Sequence, residues 1–139
     1  MKIIRAEQNL FEKIDHPNWL FHGTYNISDI LESNCLKLGR SYGSGRAVCL
    51  TRSFEFAKRF PYILVLDKDK LRSRYKIKLQ SDSKNMKNKF SRNSQPASKA
   101  EEVCETDILN LDKYLVYIVS DDASNENYIS KSYFQKNYL

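Results

Sequence analysis

Leu20-Phe21-His22-Gly23-Thr24-Tyr25, followed by the amphipathic run from Asn26 to Leu38, is the stretch against which the rest of the chain is read. Trp19-Leu20-Phe21 is a short apolar run of strand type, and it predicts that His22 is delivered to a strand end. Beyond Thr24, apolar Ile27, Ile30 and Leu31, with Ser28 and Asp29 near the start, predict a short N-capped helix. Asn34 suits the left-handed conformation that ends a helix, and Leu36 with Leu38 predicts a brief extended return to the core. A strand, a His-Gly-Thr triplet and a short helix together set several hydrogen-bonding groups in a cleft.

Upstream, Ile3, Ile4, Leu10, Phe11 and Ile14 have the spacing of a short helix that stops before Pro17. Downstream, Gly39 to Arg46 holds three of the four glycines and reads as a loop. It matches neither a P-loop, because no Gly-Lys-Ser/Thr closes it, nor the GxGxxG of a dinucleotide fold. Ala47 to Thr51 predicts a strand, and Arg52 to Phe60 a helix that begins with a Ser or Thr cap and is ended by Pro61. Tyr62-Ile63-Leu64-Val65-Leu66 is nearly all apolar and predicts a central strand covered on both faces.

Asp67 to Leu71 reads as a polar turn. Tyr75, Ile77 and Leu79, alternating with Arg74, Lys76 and Lys78, predict a half-buried strand with one cationic face. Residues 80–99, rich in Ser, Asn and Lys, predict a mobile basic loop. Glu101-Glu102-Val103-Cys104 is a further extended segment, Asp107 to Asp112 a turn, and Tyr114 to Val119 the second strong strand. The tail, with spaced Tyr128, Ile129, Tyr133, Phe134 and Tyr138, predicts a terminal helix laid across the sheet.

The 139 residues make one domain with an ordinary core, and 41% apolar with 29% charged residues is a globular balance. No apolar run approaches the ~20 residues needed to cross a bilayer, and no signal-like stretch opens the chain, so the expectation is a cytoplasmic protein without membrane contact. Cys35, Cys49 and Cys104 stand at wide, unpatterned spacings beside only two histidines, His16 and His22, which supports neither a disulfide framework nor a zinc site. The net charge of +6 is uneven: Lys68 to Lys99 contains eleven Lys or Arg against Asp69 and Asp82. Such a segment steers an anionic partner, nucleic acid included.

The order of elements and motifs resembles the ADP-ribosyltransferase fold over roughly residues 19–119. It is nearest the branch whose first motif is His-Gly-Ser/Thr, as in poly(ADP-ribose) polymerases and the DNA-modifying toxins of toxin-antitoxin systems. His22-Gly23-Thr24 with its helix looks like the first motif, although Asn34-Cys35 stands where a Gly is usual. Cys49-Leu50-Thr51-Arg52-Ser53 with Phe56-Ala57 looks like the second, and Lys99-Ala100-Glu101-Glu102-Val103 like the acidic strand start that supplies the third. Lys113 stands where polymerase-type members have a Glu before their Tyr-Ile-Val-Tyr-like strand, which departs from the polymerase pattern.

The resemblance implies an α+β domain with a split antiparallel β-sheet core and flanking short helices. It implies NAD as cofactor and mono-ADP-ribosyl transfer to a macromolecular acceptor, host protein or nucleic acid, with release of nicotinamide. It also suits a phage or bacterial conflict effector. His22 would bind the adenosine-side ribose hydroxyl, and Gly23 the nicotinamide carboxamide through its backbone, with Thr24 in support. Tyr42 or Tyr25 would stack on the nicotinamide ring. Thr51 belongs to the cofactor-binding second motif, and Arg52 would contact the pyrophosphate or the acceptor. Glu101 or Glu102 would stabilise the oxocarbenium-like state, and because neighbours on a strand point to opposite faces, one of the two faces the cleft. Two other readings are an enzyme resembling the RNA 2′-phosphotransferases, to which the shortage of His runs counter, and a non-catalytic nucleotide- or nucleic-acid-binding module.

Overall fold

A computed structural model describes residues 18–39, 47–79 and 101–139. They form β1 (Trp19–Thr24), α1 (Ile27–Ser33), β2 (Cys35–Leu36), β3 (Val48–Thr51), α2 (Phe54–Ala57), β4 (Tyr62–Asp67) and α3 (Lys68–Arg74). There follow β5 (Ile77–Leu79), β6 (Glu101–Cys104), β7 (Ile108–Leu109), a 3₁₀ turn (Leu111–Lys113), β8 (Leu115–Ser120) and α4 (Lys131–Tyr138). Six strands make one sheet in the order β5-β6-β3-β1-β4-β8, and β2 pairs with β7 separately. All pairings in the large sheet are antiparallel, so the chain is of the α+β class. No helix among the described residues is long and apolar enough to cross a membrane.

The apolar run predicted as a central strand becomes β4, between β1 and β8, with Ile63, Leu64, Val65 and Leu66 all fully buried. Alternation along the strands then sorts the core into two layers. On one face Leu20, Leu50, Leu64 and Leu66 meet Ile27 of α1, Leu71 of α3, and Ile108, Leu111 and Tyr114. On the other, Phe21, Ile63, Val65 and Val119 meet Phe54 and Ala57 of α2 and Phe134 of α4. Phe134 docks the terminal helix by tilted and edge contacts with Phe54 and Phe21, ring centres 5.1 and 6.2 Å apart.

His22-Gly23-Thr24 forms the end of β1, as expected, in unbroken register with Leu64, Ile63 and Tyr62. Several other local expectations are corrected. The cap of α1 is Asn26, whose side chain accepts from the Asp29 amide, while Asn34 ends the helix in the left-handed region as expected, at φ 53°. The return strand is Cys35–Leu36 and stops before Leu38. Helix α2 is a single turn, continued to Phe60 by a bond from the Phe60 amide to the Ala57 carbonyl. The segment read as a polar turn is helix α3: Asp67 caps it by accepting from the Lys70 amide, 3.0 Å away, and Leu71 anchors it. The expected helix at residues 3–14, most of the glycine-rich stretch with Tyr42, and the basic loop at 80–99 lie outside the described residues.

Candidate functional site

The three segments singled out in the sequence lie far apart along the chain but fall on neighbouring strands, β6, β3 and β1. Phe21 pairs with Thr51, Thr51 with Glu101, and Leu50 with Glu102, so the triplet, the Leu50-Thr51-Arg52 segment and the acidic pair are brought side by side.

His22 is held by its ring. Nδ1 lies 2.8 Å from the Cys49 carbonyl oxygen on β3. A carbonyl only accepts, so Nδ1 carries the proton and Nε2 keeps a lone pair. Although the residue as a whole is half-buried, loss of water around the imidazole lowers its pKa below 6.5, opposed in part by the bond to Cys49. His22 is therefore neutral near pH 7, an acceptor at Nε2. The same shift predicts a pH dependence of folding. Unfolded His22 takes up its proton near 6.5 and the folded residue only at lower pH, so its contribution is complete above 6.5 and is lost as pH falls through the folded value. Replacing His22 by Asn should flatten the decline of Tm between about pH 7.5 and about 5.5; an unchanged slope would assign that decline to other groups.

His22 lines two cavities. The larger, about 570 Å³, opens between β1 and α1 and is walled by Asn26, Asp29, Ile30, Ser33 and Lys37. The smaller, about 80 Å³, is bounded by Gly23, Thr51, Phe56 and Phe60. The Phe60 ring lies against Gly23, where a β-carbon would come 2.5 Å from its Cγ. Gly23 is thus a requirement of space, already used by a protein side chain.

Comparison with protein-family models, with curated proteins and with solved structures returns no match.

The two acidic candidates differ. Glu102, 2% exposed, lies on the Leu50 face of the sheet, its carboxylate between the Arg52 Nε at 3.1 Å and the Arg72 Nη2 at 2.6 Å. Arg52 and Glu102 are thereby joined to each other, across β3 and β6, and tied to α3. Glu101 stands in register with Thr51, which borders the smaller cavity.

The other predicted residues have identifiable local duties. Thr24 Oγ1 accepts from the Asn26 amide at 3.0 Å and turns the chain into α1. Buried Thr51 accepts from the Ser53 amide at 3.0 Å and turns it into α2. Tyr25 is 74% exposed and meets the Phe60 ring edge-on, centres 5.4 Å apart. Sequence reasoning took Phe56 only as part of the second motif and missed Phe60; the two form the aromatic wall of the smaller cavity, with Arg59 stacked 4.1 Å from the Phe56 ring centre. Their i, i+4 spacing on a helical turn was the available signal.

Proposed function

We propose that the chain binds NAD along β1 and transfers its ADP-ribose to a macromolecular acceptor, protein or nucleic acid, as an ADP-ribosyltransferase-like enzyme. The observation that carries this reading is the convergence of His22, Thr51 and Glu101 on three adjacent strands, with His22 shared by a large and a small cavity.

The residues fit such a ligand on one side without change. A ribose hydroxyl donates to His22 Nε2, and the larger cavity offers Asn26, Asp29 and Ser33 for further hydrogen bonds. On the other side the ring of Phe60 swings from Gly23 and, with Tyr25, presents a flat aromatic surface to nicotinamide, whose amide the Gly23 backbone holds. NAD supplies a glycosidic bond that breaks with its electron pair leaving on nicotinamide, while the acceptor bonds to the ribose carbon and loses a proton. The Glu101 carboxylate stabilises positive charge as it develops on the ribose. Glu102 and Arg52 keep β3 and β6 in register beneath the site. Among the described residues Lys37 is the one cation lining either cavity, which suits a sugar-centred reaction better than phosphate chemistry of the RNA 2′-phosphotransferase kind.

Incubating the chain with NAD labelled on its adenylate and with cell extract tests this. Label should pass to protein or nucleic acid, and fall at least tenfold with His22→Ala and further with Glu101→Gln. NAD retained but not consumed would instead mark a binding module; label transfer unaffected by both substitutions would reject the site.

A further inference from the structure

Helix α3 divides its side chains among three directions. Leu71 enters the core, Arg72 reaches Glu102, and Lys70, Ser73 and Arg74, at i, i+3 and i+4, face away from β6. Together with Asp112, Lys113 and Tyr114 they line a groove of about 650 Å³ between α3 and the start of β8. Neither cavity at His22 shares a residue with it.

The charge of this groove is unbalanced. Lys70, Arg74 and Lys113 are exposed, and among the described residues no carboxylate pairs with them. The one acid in the lining is turned elsewhere: Asp112 Oδ1 accepts from Asn34 Nδ2 at 2.7 Å, while the Asp112 amide donates to Asn34 Oδ1 at 2.8 Å. Arg74 is steadied over the Tyr75 ring, 5.4 Å from its centre, and Tyr75 in turn meets Tyr114 edge-on. The surrounding stretch from Lys68 to Lys78 holds five Lys or Arg besides Arg72 against Asp69 alone.

We propose that this groove binds the phosphodiester backbone of a single-stranded nucleic acid, with Lys70, Arg74 and Lys113 each meeting a phosphate and Ser73 adding a hydroxyl donor. An open lining with three cations and a serine hydroxyl suits a phosphate chain, whose negative charges repeat along the backbone. Binding here does not depend on the chemistry at His22.

The test is fluorescence anisotropy of the whole chain with a labelled oligonucleotide of ~12 nucleotides at about 50 mM salt. The triple variant Lys70→Gln/Arg74→Gln/Lys113→Gln should bind at least tenfold more weakly. The dependence of log affinity on log salt should also fall by about 2, at about 0.7 for each phosphate no longer neutralised. A control of equal charge change, Lys58→Gln/Lys131→Gln/Lys136→Gln, should stay within threefold of wild type, and unchanged thermal melting of both variants verifies folding. Failure of the wild-type chain to bind, equal weakening by both variants, or displacement of the oligonucleotide by polyglutamate at equal charge concentration would each overturn the proposal.

Discussion

Glu102→Gln is expected to destabilise the fold by about 3 kcal/mol, whereas Glu101→Gln should leave the fold intact and remove activity. The Glu102 carboxylate is nearly inaccessible and meets two guanidiniums, one of which, Arg52, is itself only 18% exposed. Removing one partner of a buried ion pair strands the other charge away from water, a loss of about 3–5 kcal/mol. The lower end applies here, because glutamine keeps the volume and one acceptor, and because Arg72, 47% exposed, can turn to solvent. For a domain of this length that is a fall in Tm of about 10 °C. The double variant Arg52→Met/Glu102→Leu, which removes both charges, should recover more than half of it. A Tm within about 2 °C of wild type for Glu102→Gln would show that the clamp contributes nothing net. Glu101→Gln should lower label transfer by about 10²–10³-fold, the usual scale for losing one group that stabilises charge in a transition state.

Gly23→Ala should cost about 2 kcal/mol and abolish NAD binding. The added methyl overlaps the Cδ2 of Phe60 and comes 2.5 Å from its Cγ and 2.9 Å from its Cβ, so rotating the end of the ring does not relieve the contact. Overpacking of this kind costs about 1–3 kcal/mol, and the middle of the range applies because Phe60 is half-exposed and can leave as a whole. In a Phe60→Ala background the same substitution should cost nothing, so that denaturant melts of the four proteins in the cycle give a coupling of about 2 kcal/mol. Additive effects would mean that Phe60 does not rest on Gly23 in solution.

What could be read from the sequence was whatever depends on local pattern. Tyr62 to Leu66 announced a central strand because nothing from Ile63 to Leu66 is polar, and Asn34 announced a left-handed helix end because Asn tolerates that conformation. The order of the three motif segments was legible too, and the sheet brings them together. Helix α3 was not legible: Leu71 is its single buried residue, so seven residues of mixed charge carry no apolar period, and its true start signal, Asp67, also suits a turn. Alternation told that Glu101 and Glu102 part to opposite faces but not which is engaged, because the arginines that decide it come from positions 52 and 72, on other elements. Phe60 over Gly23 is likewise a contact across a fold, invisible until β1 and α2 are packed.

The pairing of β1 with β3 and β4, and of β3 with β6, also has a consequence for timing. His22 and Glu101 are 79 residues apart, and β3 reaches its second neighbour only after the chain has run through residue 104. Non-local sheets of this kind assemble slowly, on about the millisecond-to-second scale, because long loops must close before the contacts they permit are made. A nascent chain still lacking β6 has paired β3 with β1 alone. On this architecture a chain cut before residue 101 leaves one edge of β3 without its partner, an exposed row of backbone groups open to pairing with other chains.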